Sequence, residues 1–213
     1  MTRARLWRIS RDRLRGGFHV HKDACMPSSL EIFANLFYLV SVLLAARNSV
    51  HTWAVGLVGC ALFGWLFFSV QLYADVTLQG FFIATSLLGW WSWLRGRDGD
   101  PMPISHTAWP GLALALGLAV LVALAYGALL HHFTDAYAPF IDSLVLTFSV
   151  LAQLLLMRRK LETWYAWLLV NTLAVPLFAS RELYLTAFIY LLFWCNAWYG
   201  LYRWRRELNA QAA

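Results

Sequence analysis

Charge is what this chain has least of. Only 13% of its 213 residues are charged and 61% are hydrophobic, giving a mean hydropathy of +0.57. A soluble domain carries roughly 25% charge, so a water-facing globule is excluded. Lysine is nearly missing. Lys22 and Lys160 are the only two, both outside the apolar runs, which removes a seven-helix photoreceptor with a Schiff-base lysine. No G-x-x-x-x-G-K run is present, which removes an ATP-driven pump built on a phosphate loop. The three cysteines, Cys25, Cys60 and Cys195, have neither pairing nor metal-ligand spacing. They read as small apolar packers, and no metal or cofactor is expected. His51, His106, His131 and His132 are placed in loops, without zinc-like spacing or paired carboxylates. No catalytic cluster results, so an enzyme is not expected, and a membrane-embedded enzyme is kept only as the alternative of another class. The basic N-terminus lacks the 7–15-residue apolar core of a signal peptide.

What the chain does have is apolar runs of about 20 residues, each long enough to cross a hydrocarbon core of ~30 Å. Lipid leaves no partner for backbone polar groups, so these runs must be helices. Seven are expected, at 27–46, 53–72, 76–94, 109–130, 139–157, 162–180 and 183–203. Twelve Trp, many near the expected helix ends, fit an interfacial aromatic belt.

The chain also repeats itself, ungapped, at an offset of 111. Thr52-Trp53 returns as Thr163-Trp164, and Leu72-Tyr73 as Leu183-Tyr184. Phe37/Phe148, Arg47/Arg158, Phe67/Phe178, Ser69/Ser180, Phe82/Phe193, Gly89/Gly200, Trp93/Trp204 and the carboxylates Glu31/Asp142 keep the same register. Leucine matches mean little in such a chain; matched Trp, Gly and Arg indicate duplication. An odd number of spans would invert the second copy, and one unmatched crossing restores it. The expected architecture is therefore an all-α membrane protein with 3+1+3 parallel three-helix repeats. Its parts are a basic tail (1–26), a first repeat (27–94), a linker with the fourth helix (95–138), a second repeat (139–205) and a C-terminal tail (206–213). Repeats in membrane chains place the substrate site where they meet.

Arg47, Arg95, Arg97, Arg158, Arg159, Lys160, Arg203, Arg205 and Arg206 fall on one side, against Arg181 on the other. The positive-inside rule puts that side, and the C-terminus, in the cytoplasm. The tail contradicts this with seven further positives. The preferred reading starts translation at Met26, with residues 1–25 an upstream artefact. A basic arm on nucleic acid does not suit a membrane chain, so no nucleic-acid partner is expected.

Polar groups in hydrocarbon cost a few kcal/mol unless bonded, so they turn inward. Gln79, Ser86, Trp90 and Trp93, spaced 7, 4 and 3, share one face of the third helix. Asn171 lies in the sixth helix, and Tyr190, Asn196 and Tyr199 in the seventh. Aromatics beside amides make a cradle for a flat cationic ring bearing hydroxyls. The alternative is that Asn171 and Asn196 merely tie helices together. Glu31 and Asp142 are read as helix-start carboxylates facing positive dipole ends, with an entry pair for cations as the alternative. Asp75 and Arg181-Glu182 are read as solvated, and Glu162 as a helix cap.

The run LQGFFIATSLLGWWSW, with Trp90-x-x-Trp93, resembles the third core helix of the Pnu-type vitamin transporters. Asn196-x-x-Tyr199 resembles their last core helix. Phe140-Ile-Asp142-Ser143, Arg158-Arg159-Lys160-x-Glu162-x-Trp164, Val170-Asn171 and Gln71-Leu72-Tyr73-Ala74 are also similar. The likeness spans about 28–207. It implies a SWEET-like helix arrangement, a homotrimer with one pathway per protomer, and uptake of nicotinamide riboside through the bacterial inner membrane. It further implies facilitated diffusion with trapping by a cytoplasmic kinase. Trp90, Trp93, Asn196 and Tyr199 would line or gate the site, with Gln79, Ser86, Asn171 and Tyr190 beside them. Ser86 departs from the Asn that riboside carriers place there. A hydroxyl replaces an amide, which raises thiamine as the alternative cargo, with riboflavin third.

Overall fold

The computed structural model describes residues 29–69, 73–96, 102–133 and 137–212. The basic tail, the Met26 start, Cys25 and Arg97 lie outside these. Within them seven helices follow one another: α1 Ser29–Ala46, α2 His51–Ser69, α3 Tyr73–Arg95, α4 Trp109–Phe133, α5 Pro139–Met157, α6 Thr163–Ser180 and α7 Tyr184–Ala212. Among the described residues the fold has no strand, only an isolated bridge from Ser105 to Lys160.

Four of these helices, α1, α2, α4 and α5, are long and apolar enough by composition to cross a bilayer. The other three carry the buried amides, Gln79 on α3 (beside Thr85 and Ser86), Asn171 on α6 and Asn196 on α7. These amides, with the Trp and Tyr of the same helices, lower their hydropathy. Outward faces are apolar in the manner of a lipid contact, as with Leu114, Leu118, Leu121 and Leu124 on α4.

Six helices close into a ring. α1 packs on α2, α2 on α3, α3 on α5, α5 on α6, α6 on α7, and α7 back on α1. α4 stands outside and, among the described helices, docks on α5 alone. The two seams between the halves, α1–α7 and α3–α5, exchange under the 111-residue shift, as a pseudo-twofold along the ring axis requires.

The duplication extends to single hydrogen bonds. Thr52 Oγ1 donates to Ser41 O at 2.8 Å, and Thr163 Oγ1 to Ala152 O at 2.8 Å. Asn48 and Arg159, again 111 apart, both take the left-handed backbone, at φ 54° and 48°. Each ends its helix by returning its N–H to the carbonyl three residues back, Ala45 in one copy and Leu156 in the other. Trp53 lies flat against Gly89, and Trp164 against Gly200. Glycine is needed there because an ideal Cβ would come within 2.6 Å of Trp53 or 2.5 Å of Trp164.

Some expectations change in detail. α7 runs to Ala212 rather than 203, so nine more residues carry it roughly 13 Å further. The segment 206–212 is helix. His51 opens α2, and His131 and His132 sit in the last turn of α4. α2 starts two residues before the expected run and ends three before its end, and α4 runs three residues past its expected end. Glu162 occupies the N-cap of α6 but makes no side-chain cap bond.

Its carboxylate serves the preceding linker instead. His106 Nδ1 lies 2.8 Å from Glu162 Oε1, and Thr107 N and Oγ1 both donate to Oε2 at 3.0 Å. Lys160 Nζ reaches Ser105 Oγ at 2.9 Å, and Arg159 reaches Met102 O. Ile104 is buried in the core cluster below. The linker stretch 102–108 is thus a strap across the α5–α6 corner. Burial pushes the Glu162 carboxyl up, but the bonds from His106 and Thr107 outweigh it and hold it below its ordinary value. A depressed carboxylate contributes stability above its unfolded pKa and loses it as pH falls through the folded one. Glu162→Gln should therefore lower Tm at pH 7, and the gap from wild type should close below about pH 4. A thermal-shift titration checks it.

Candidate functional site

Inside the ring the polar and aromatic side chains fall into layers. At the basic end four tryptophans close the axis. Trp53 meets Trp93 edge-on at 5.3 Å, and Trp164 meets Trp204 edge-on at 5.4 Å. Trp93 and Trp204 approach each other across the pseudo-axis at 6.1 Å. Their indoles tie the halves together. Trp93 Nε1 donates to Met157 O and Trp204 Nε1 to Ala45 O, both at 3.1 Å. The Arg159 guanidinium lies 4.1 Å from the Trp93 ring, where a cation over an aromatic face is favourable. Burial pulls the Arg159 pKa down, and Glu207 pushes it back up in part.

About 10 Å along the axis from this plug, by helical rise, lie Ser86, Thr85 and Asn196, all buried. Thr85 and Asn196 are repeat counterparts. Thr85 bonds back to Phe81 O and Phe82 O of its own helix. Asn196 instead crosses the α1–α7 seam, Nδ2 donating to Val42 O at 2.9 Å. Its Oδ1 is buried without a partner among the described residues. A buried, unpaired amide oxygen costs about 1–3 kcal/mol; Trp53 Nε1 and Trp164 Nε1 of the plug are unpaired in the same way.

A further layer stands about 21 Å from the plug. Gln79 Oε1 accepts a 2.8 Å bond from Tyr38 Oη, which also lies 3.2 Å from Cys60 Sγ. The repeat counterparts of Tyr38, Cys60 and Gln79 are Ser149, Asn171 and Tyr190. Asn171 is 2% exposed. Tyr190 stacks on Phe178 at 5.0 Å and meets Phe193 at 5.8 Å. Beyond, at the far end, Arg181 bonds Asp142 at 2.6 Å and covers Tyr137. Arg181 is therefore paired and half-buried rather than solvated, and Asp142 answers it rather than only its own helix dipole.

The structure thus gathers Gln79, Ser86, Asn171, Tyr190 and Asn196 inside the ring. Trp93 belongs to the plug, and half-buried Trp90 packs against it. Tyr199 stands apart. It is 43% exposed, reaches Arg203 at 3.4 Å, and lines a cavity of about 420 Å³ with Tyr202, Arg206 and Glu207 at the basic end of α7. That cavity lies along α7, not where the halves meet. Tyr38 and Cys60 are not singled out by the sequence. Each is a lone polar atom in an apolar run, and the available hint is that Cys60 aligns with Asn171.

The sequence profile of the family described as "Nicotinamide mononucleotide transporter" matches residues 28–206. The "Nicotinamide riboside transporter PnuC" of Escherichia coli (strain K12) is 26% identical, covering 87% of this chain and 90% of that protein. The "Riboflavin/roseoflavin transporter RibM" of Streptomyces davaonensis is also 26% identical, over 82% of this chain and 83% of its own. Among solved structures, "Crystal structure of the Vitamin B3 transporter PnuC" superposes with a TM-score of 0.68 at 21% identity, covering 85% of this chain and 82% of that one.

Proposed function

The chain belongs to the nicotinamide mononucleotide transporter family, and from that premise we propose that it carries nicotinamide riboside across the bacterial inner membrane. It is a multi-pass transporter and not an enzyme. The observation that carries the cargo reading is the Asn196 layer: an unpaired buried amide oxygen within a ring of helices. A carboxamide or ribose hydroxyl supplies the missing donor, and the cationic pyridinium suits the aromatic surroundings. The proposed lining is Gln79, Ser86, Trp90, Asn171, Tyr190 and Asn196. Trp93 seals the inner end, and Tyr199 receives the cargo beyond it.

Transport is facilitated diffusion in this reading. The two three-helix units rock about the axis, and a cytoplasmic kinase traps the product. The C-terminus is cytoplasmic, because the Trp plug sits at the end that gathers the basic residues. The protein works as a homotrimer. A second reading, thiamine, is favoured by buried Ser86, whose single hydroxyl leaves more room than an amide and suits a bulkier cation. Riboflavin is the third, supported by the match to RibM. Calorimetry of the purified protein against all three vitamins decides among them. Nicotinamide riboside is expected to bind most tightly. Heat from thiamine alone would transfer the proposal to thiamine, and silence from all three would refute it.

A further inference from the structure

The layer around Tyr38 gives work to two residues outside the proposed lining. Tyr38 on α1, Cys60 on α2 and Gln79 on α3 converge from three helices, with the phenol bridging the other two. Cys60 and Gln79 are buried, and Tyr38 is partly so. Tyr38 lies on α1, which borders α7 at the α1–α7 seam. Asn196 is bonded on that same seam, to Val42 O, one helical turn from Tyr38. A cargo touching Asn196 at one end, about 10 Å along the axis from the Tyr38 layer, can touch Tyr38 at its other end.

We propose that Tyr38 is a substrate-contacting hydroxyl, parked on Gln79 Oε1 when the site is empty and handed to a hydroxyl of the vitamin when it is filled. A phenol both donates and accepts. Gln79 regains its own amide for the same ligand hydroxyl, and Cys60 packs beside it as a small neighbour. This subsite recognises the polyol or hydroxyalkyl end of the cargo, while Asn196 recognises the ring end. The inference rests on the vitamin-transport reading and extends it.

Tyr38→Phe keeps the ring and deletes the hydroxyl. Calorimetry with whichever of the three vitamins binds wild type should show Kd about tenfold weaker, with Tm only modestly lower because Gln79 Oε1 loses its donor. A lowered Tm with unchanged Kd would make Tyr38 a structural tie and overturn the proposal. No binding to wild type by any of them overturns the transport reading and this inference together. Binding to wild type with equal Kd in Tyr38→Phe overturns this inference alone. A second measurement avoids the Tyr38 variant. With Cys25 and Cys195 changed to Ser, Cys60 is the single thiol. A small methanethiosulfonate reagent should label it, and the bound vitamin should slow that labelling severalfold. Labelling that ignores the vitamin, or no labelling in either condition, means the thiol is sealed from the path and overturns the proposal.

Discussion

Gly200→Ala is expected to lower Tm by about 4 °C and to reduce the yield of monodisperse protein. The added methyl would sit 2.5 Å from Trp164 Cη2 and 2.6 Å from its Cζ2 and Cζ3. That ring cannot step aside. It is 2% exposed and edge-on to Trp204 at 5.4 Å. Trp204 is fixed in turn by its bond to Ala45 O in the other half. Overpacking of this kind costs roughly 1–3 kcal/mol and sometimes more, against a helix-propensity gain near 1 kcal/mol. A kcal/mol shifts Tm by about 2–4 °C at this length. Gly80→Ala is the control, since nothing lies within 4 Å of where its methyl would stand, and its Tm should hold or rise. Trp164→Phe removes the offending six-membered ring and should recover part of the loss in the double variant. Wild-type Tm in Gly200→Ala would show that Trp164 has room to retreat.

Asn196→Leu is expected to cut uptake of radiolabelled nicotinamide riboside by tenfold or more while the protein still reaches the membrane. The substitution conserves bulk and removes the middle-layer amide whose oxygen is left unpaired. It also releases Val42 O, so some stability goes with it, about 1–3 kcal/mol. Asn196→Asp separates the two effects. It keeps an acceptor and loses the donor to α1, so binding should fall less than stability. The readouts are transport in whole cells, normalised to membrane-inserted protein, and Kd by calorimetry. Uptake at wild-type level in Asn196→Leu would take this residue out of the pathway.

The ring was legible in the sequence because its register is written in residues that cannot be swapped freely. Trp53 needs Gly89, Trp164 needs Gly200, and such pairs survive duplication where leucines drift. Inward amides were legible for a related reason, since hydrocarbon makes an unbonded Asn costly. The spacing of Asn196 and Tyr199 does not put them on one face. The two are three residues apart and differ by about 60° around the helix, enough to turn one inward and the other toward Arg203. Tyr38 was invisible because a tyrosine in an apolar run reads equally as lipid belt. The Asp142–Arg181 pair was missed because Val70 aligns with Arg181, so nothing in the first repeat announces it. The strap at 102–108 has no periodicity to read, and its contacts lie more than fifty residues away.

That strap makes the basic end of the ring lopsided. One corner, α5–α6, is bolted by Glu162, Lys160 and Arg159 to a segment that has no counterpart at the other corner among the described residues. The α1–α2 corner is held in its place by a side-chain latch, Asn48 to Glu207 at 2.8 Å. Two halves cast from one mould therefore do not yield equally. The bolted corner has more bonds to break than the latched one.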